Sequence, residues 1–182
     1  MSPTTDKPRR QPVLISVGGL PATGKSAVAR LLATELPAAY VRIDSIETAI
    51  GRSEGRFART NGWELPPGYA VGYDIAADQL RVGLDVVADS VNPVRASRDA
   101  WRETGHTAGA QVLEVEIVCT DVEEHRRRVE ERVVDIAGLV KPTWEQITNR
   151  EYDPWDRDRI VIDTSTLSIE ESARRIRDAV GR

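Results

Sequence analysis

Gly19, Gly24, Lys25 and Ser26 lie in the stretch GGLPATGKS (18–26) and fit the spacing G-x-x-x-x-G-K-[ST]. Each position has a chemical reason. Glycines let a backbone close on an anion, and successive N–H groups at a helix N-terminus attract phosphate. A lysine at this spacing reaches the β and γ phosphates of a nucleoside triphosphate, and the hydroxyl after it can ligand Mg²⁺. The expected nucleotide contacts are Gly19, Ala22, Thr23, Gly24, Lys25, Ser26 and Ala27, with ATP as the nucleotide and GTP as the alternative. A GTPase would also carry an N/T-K-x-D base-reading motif, and none is present. Two aspartates fall at strand ends, where open α/β sheets bind their ligands. Asp44, in VRIDSIE, is expected to take the proton of an attacking hydroxyl. Asp89, in VVADSVNP, is expected to hold Mg²⁺ through water, or the two exchange roles. Local structure could use the same residues: Asp44 with Glu47 as a capping box, and Asn92–Pro93 as a helix start.

These residues need elements to position them. VLISVG (13–18) is a continuous apolar strand, and Val28, Leu31, Leu32 and Leu36 give the following 25–36 segment a helical period. Further strands are predicted at 39–44, 84–90, 111–120 and 159–165. Helices are predicted from Ser45, then at 68–83, 93–109, 121–135, around 143–150 and at 168–181. Residues 51–67, with glycines and two prolines, read as a loop. Strands that are apolar throughout are covered on both faces. Their alternation with helices predicts an α/β fold with a parallel sheet.

Composition narrows the class. A chain of 182 residues fits one domain, read as 12–182 after a disordered tail at 1–11. No apolar run approaches the roughly 20 residues of a membrane span, and the N-terminus lacks a signal-peptide pattern, so a cytoplasmic protein is expected. The formal charge of −4 gives no general attraction to a nucleic-acid backbone. Cys119 is the only cysteine, which excludes an internal disulfide and a cysteine-only zinc site. His106 and His125 have no metal-ligand partner pattern. Lysine is scarce (Lys7, Lys25 and Lys141 among 25 basic residues), so Lys25 is unlike an incidental surface charge.

The stretches GGLPATGKS, IDSIETAI, ADSVNPVRASRDAW and REYDPWD together resemble the small P-loop kinases. That group includes chloramphenicol phosphotransferase, polynucleotide 5′-kinases and zeta-type toxins, and many members labelled AAA-like ATP-binding proteins. The resemblance covers residues 13–165 and implies a three-layer P-loop NTPase fold: a five-stranded parallel sheet of order 2-3-1-4-5, helices on both faces and a small lid. It implies Asp44 as the base. Polynucleotide kinases tend to carry a basic residue shortly after this aspartate, whereas this chain has Ile46, Glu47, Thr48 and Ala49, which disfavours a nucleic-acid acceptor. Kinases of this build also place arginines over the transferring phosphoryl group. In DVEEHRRRVEERVV, a buried stripe of Val122, Val129 and Val133 puts Arg128 and Arg132 on one flank, Arg126 on the other and Arg127 in solvent. Arg150 and Asp163–Ser165, Thr164 included, resemble positions near the adenine, and residues 134–158 resemble a lid.

The acceptor side is expected from 45–82 and the segment after Asp89. Tyr69, Tyr73, Asp89 and Arg98 join Asp44 there as candidate substrate contacts, and the tyrosines with nearby carboxylates suit a polyhydroxylated or cationic compound. The sequence therefore predicts an ATP- and Mg²⁺-dependent phosphotransferase acting on a hydroxyl of a small molecule. The alternatives are a polynucleotide 5′-hydroxyl kinase and a nucleotide-binding or toxin-like regulator without ordinary turnover.

Overall fold

A computed structural model describes residues 10–53 and 66–182. The predicted tail up to residue 9, and the predicted loop from 54 to 65, lie outside the described residues. Arg10 and Gln11, expected in the tail, are tied down: Arg10 pairs with Asp85, and Gln11 donates to the Gly109 carbonyl at 3.0 Å.

The chain runs β1 (Val13–Gly18), α1 (Lys25–Glu35), β2 (Ala39–Arg42), α2 (Ile43–Ser53), α3 (Pro67–Arg81), β3 (Val86–Asp89) and α4 (Arg95–Thr107). It continues through β4 (Gln111–Val118), α5 (Val122–Glu131), α6 (Trp144–Thr148), β5 (Ile160–Asp163) and α7 (Ile169–Ala179). The five strands are all parallel, as the alternation of elements predicts, and run in the order β2-β3-β1-β4-β5 that the resemblance implies. All six residues of β1, the central strand, are buried. Val13, Ile15 and Val17 face Val28, Leu32 and Ile176 of α1 and α7. Leu14 faces the other layer, with Leu80 of α3 and Trp101 of α4. Side chains alternate across a strand, so one apolar run supplies both cores of a three-layer fold.

Two boundaries differ from the sequence reading, and both matter for the site. The strand predicted to reach residue 44 ends at Arg42, and α2 starts at once. Asp44 therefore lies in the first turn of α2, where a carboxylate complements the helix dipole. The predicted capping box with Glu47 does not form, because Glu47 accepts the backbone N–H of Gly68 at the start of α3. The second difference is in α5, which ends at Glu131 instead of residue 135. Arg132 is extended (φ −53°, ψ 125°), so Val133 falls out of helical phase and is 90% exposed. Val122 is 60% exposed, just past the Asp121 N-cap. The buried face of α5 is made by His125 and Val129 instead.

Candidate active site

The loop between β1 and α1 is built around residues that need left-handed backbone. Gly19 (φ 143°) runs so close to β4 that a Cβ there would collide with the Ile117 carbonyl. Ala22 (φ 64°) and Gly24 (φ 91°) turn the chain into α1. Backbone of this kind directs N–H groups into a common concavity, which with the helix N-terminus attracts an anion. Three side chains hold the loop from outside, one of them through another. Thr164, just after β5, donates its hydroxyl to the Thr23 carbonyl at 2.6 Å. Arg128 donates to the Thr164 hydroxyl at 2.9 Å and to the Thr164 carbonyl at 3.0 Å. His125 lies 2.9 Å from the Pro21 carbonyl. A carbonyl only accepts, so the His125 Nε2 carries the proton. The rings of His125 and Trp144 of α6 meet edge to face, with centroids 5.2 Å apart and planes at 89°.

A cleft of about 390 Å³ lies over the loop. Ala22, Gly24, Lys25, Ser26 and Ala27 form its floor, and Arg127, Arg128 and Arg132 one wall. The opposite wall is Arg42 with Asp135, held by two hydrogen bonds of 2.8 and 3.0 Å. Arg30 reaches the same carboxylate at 2.5 Å. The Arg42 guanidinium, with help from Arg30 and against the opposing cost of burial, holds the Asp135 carboxyl well below the usual carboxylate range. Cross-strand register sets Arg42 directly beside Asp89.

A second pocket, of about 240 Å³, adjoins the cleft. Asp44, Glu47 and Tyr69 line it, as do Leu139, Lys141 and Arg150 from the segment after α5. Lys25 and Arg132 line both cavities. Lys25 is only 4% exposed, so its ammonium is committed to this junction and not to bulk water. Burial, opposed by the Asn92 N–H and Arg150, pushes the Tyr69 hydroxyl up to about 12. Burial, opposed by the Gly68 N–H, also raises Glu47 above its ordinary value.

The structure brings Lys25, Ser26, Asp44, Tyr69, Arg128 and Arg132 together, and moves several predicted residues elsewhere. Arg98 is 1% exposed and lines neither cavity: its guanidinium donates to the carbonyls of Asn92 (3.0 Å), Asp153 (2.8 Å), Pro93 and Pro154 (both 3.3 Å). It also stacks on Trp155, 4.3 Å from the ring centroid. Tyr73 packs edge-on against Trp101 and donates to the Ser97 carbonyl, inside the core. Arg126 pairs with Glu130 beside a separate groove, while Arg127, expected in solvent, lines the cleft. Arg150 belongs to the Asp44 pocket and not to the nucleotide cleft. Thr164 props the loop from behind. Asp89 lines neither cavity: it accepts the Tyr40 hydroxyl at 2.7 Å and faces the Arg42 Nε at 3.7 Å. Asn92 (φ 51°) starts no helix; it joins Ser16, Ser90 and Trp101 by hydrogen bonds beneath the loop.

The predicted lid, 134–158, has two unlike parts. Leu139 to Pro142 and Arg150 roof the second pocket. Residues 152–159 are strapped to the sheet. Arg157 grips Glu114 at 2.9 and 3.1 Å, Arg159 holds Glu116 at 2.6 Å, and Asp153 N–H donates to Pro93 at 2.8 Å.

Sequence reasoning missed Arg42, Asp135 and His125. Arg42 had a visible signal, a lone charge inside the apolar run AYVRI. Asp135 had none, since its partners are far away in the chain.

Mg²⁺ keeps most of its shell as water and phosphate oxygens and asks one or two oxygens of a protein. The Ser26 hydroxyl on the cleft floor suits that demand. Asp89 is one side chain removed from it, behind Arg42. Among the described residues no group of three or more His, Cys, Asp or Glu could hold a metal by itself, as a cation bound mainly by phosphate does not require one.

The family model described as an AAA domain matches residues 14–150. No curated protein matches. Among solved structures, a candidate kinase from Chloroflexus aurantiacus superposes with a TM-score of 0.70 at 19% identity, over 94% of this chain and 97% of that one. The APS kinase CysC of Mycobacterium tuberculosis, in complex with AMPPNP and APS, gives 0.67 at 18% identity, over 94% and 99%. A gluconokinase from Sinorhizobium meliloti gives 0.60 at 18% identity, over 95% and 98%. The fold is that of the P-loop kinases. Among the described residues no helix is long and apolar enough to cross a membrane.

Proposed function

The chain belongs to the AAA domain family, and we propose that it is an ATP- and Mg²⁺-dependent phosphotransferase that phosphorylates a hydroxyl of a small molecule. One observation carries this reading: the phosphate-loop cleft and the Asp44 pocket share Lys25 and Arg132 as a common wall. A γ-phosphoryl group on the loop would sit between two cations, with an acceptor hydroxyl on the far side. A largely dissociative transfer asks a protein for positioning and charge compensation more than for covalent chemistry. Lys25 and Arg132 supply compensation at the junction. Arg128, held by Glu124 at 2.7 Å and by Thr164, fixes the loop and adds charge to the wall. Asp44 accepts the acceptor's proton as the oxygen attacks. Ser26 would hold Mg²⁺, which when bound neutralises charge on the β and γ phosphates. Asp89 acts through Arg42, keeping that guanidinium at the cleft wall. One superposed structure, the APS kinase, is a complex with both AMPPNP and APS, which supports a site that takes a nucleotide and a second small ligand. A roofed pocket of about 240 Å³ suits a small acceptor better than a polynucleotide end.

The test is Asp44→Asn. ATP affinity should stay within twofold of the parent, and transfer should fall roughly 10²- to 10⁴-fold, the range for loss of a general base. Equal turnover by the variant would sink the assignment. Transfer to a 5′-hydroxyl oligonucleotide but to no small alcohol would favour the polynucleotide reading.

A further inference from the structure

We propose that the compound accepted in the Asp44 pocket carries an anionic group, a carboxylate or a phosphate, held by Arg150 with Lys141 beside it. This rests on reading the pocket as the acceptor site.

The charges lining the pocket are unlike those of the chain. The chain carries −4, yet this pocket sets Lys25, Arg132, Lys141 and Arg150 against Asp44 and Glu47. Lys25 and Arg132 also line the phosphate cleft and serve the nucleotide. Arg150 does not line that cleft, and neither does Lys141, so the nucleotide does not account for them. Glu47 offsets them little: its carboxylate is turned to the Gly68 N–H.

Most other arginines around the two cavities are occupied. Arg30 and Arg42 share Asp135, Arg127 and Arg128 share Glu124, and Arg98 is taken up by carbonyls. Among the described residues, Arg132 and Arg150 are the two pocket guanidiniums with no carboxylate within 4.0 Å. Lys141 gives two N–H groups to the carbonyls of Glu130 (2.9 Å) and Arg132 (3.2 Å), which leaves a third donor and a full charge. The backbone of Arg150 is also fixed on both sides. Its N–H closes the end of α6 on Ile147 at 3.2 Å, and the strap begins two residues later. A guanidinium fork with no carboxylate of its own matches a carboxylate or phosphate bidentately. An acceptor with its hydroxyl at Asp44 and its anion at Arg150 would span the pocket and sit in one orientation.

The experiment uses the full chain saturated with ADP and Mg²⁺, so that the loop's own anion affinity is filled. Matched pairs are titrated by calorimetry: D-glycerate against glycerol, glycerol 3-phosphate against glycerol, and gluconate against sorbitol. The anionic member of at least one pair should bind tenfold or more tighter than its neutral partner. Arg150→Gln should weaken that binding roughly 10- to 100-fold, the value of charge-assisted hydrogen bonds. Arg150→Lys should restore part of it, and Arg126→Gln, on the neighbouring groove beyond Lys141 and Pro142, should leave the binding unchanged. Equal binding of both members in every pair overturns the proposal, and so does an anion preference that survives in Arg150→Gln. The two readings fail separately. Anion preference without phosphoryl transfer leaves this inference standing and removes the kinase. Asp44-dependent transfer to neutral alcohols, indifferent to Arg150→Gln, does the reverse.

Discussion

Arg98→Ala separates two accounts of the same residue. If Arg98 bound an acceptor, its loss would raise the acceptor KM and leave the fold intact. Its geometry instead predicts a structural defect. The side chain donates four hydrogen bonds to carbonyls and stacks on Trp155. Each bond from a charged donor is worth about 1.5–3 kcal/mol, but bonds from one group are not additive, and truncations above 4–5 kcal/mol are exceptional. The cost should therefore be about 3–5 kcal/mol. At roughly 2–4 °C per kcal/mol for a chain of this length, Tm should fall by 6–20 °C. Because the lost bonds hold residues 153–155, the damage should be local first. Amide exchange at Asp153–Trp155 should accelerate before that of β1, and Trp155 emission should shift to the red. Calorimetry, exchange and emission read the three effects. A Tm within 1 °C of the parent, joined to a tenfold rise in acceptor KM, would refute the reasoning.

Asp135→Asn removes the partner of Arg42 and Arg30. The folded carboxyl titrates below its unfolded value, so its contribution is full at neutral pH and fades as pH falls through about 4 towards the folded value. With 44% of its side chain exposed, solvent screening limits the effect to about 1 kcal/mol. The Tm gap between parent and variant, followed by calorimetry, should be roughly 2–4 °C at pH 7 and close by pH 2–3; a gap that widens in acid contradicts the assignment. His125→Ala deprives the Pro21 carbonyl of its donor and Trp144 of its neighbour. ATP affinity should drop roughly 5- to 10-fold, and any nucleotide-induced change in tryptophan emission that is lost in Trp144→Phe should shrink here too. An unchanged affinity and an unchanged emission response would count against the coupling.

The sheet and the loop were readable because their signals are local. Alternation of apolar runs with helical periods dictates the layers, and glycine spacing before Lys25 dictates the cradle. The failures lie where burial is decided by a distant element. His125 takes the core-facing place of a valine because Trp144 and the Pro21 carbonyl cover it. Arg98 looks like a ligand-binding cation until Asp153 and Pro154 arrive from 55 and 56 residues away. Asp89 sits where the rule for strand ends puts it, but Arg42 and Tyr40 from β2 screen it from the cleft. Arg150 could not be assigned to a pocket before the strap fixed the path of the chain around it.

The strap also constrains how this site can diverge. Its bonds run largely through backbone: the Asp153 and Pro154 carbonyls, and the Asp153 N–H. The side chain at 154 can therefore change at modest cost, whereas the Asp153 carboxylate accepts the Arg95 N–H at 2.8 Å at the start of α4, and one inserted or deleted residue between 152 and 159 would shift Arg157 and Arg159 off Glu114 and Glu116 together. Length is fixed there and free between the Asp135 tether and the α6 cap. Descendants of this chain that take different acceptors should record it as insertions and deletions in 136–142 and substitutions up to 150, over a strap whose residue count does not vary.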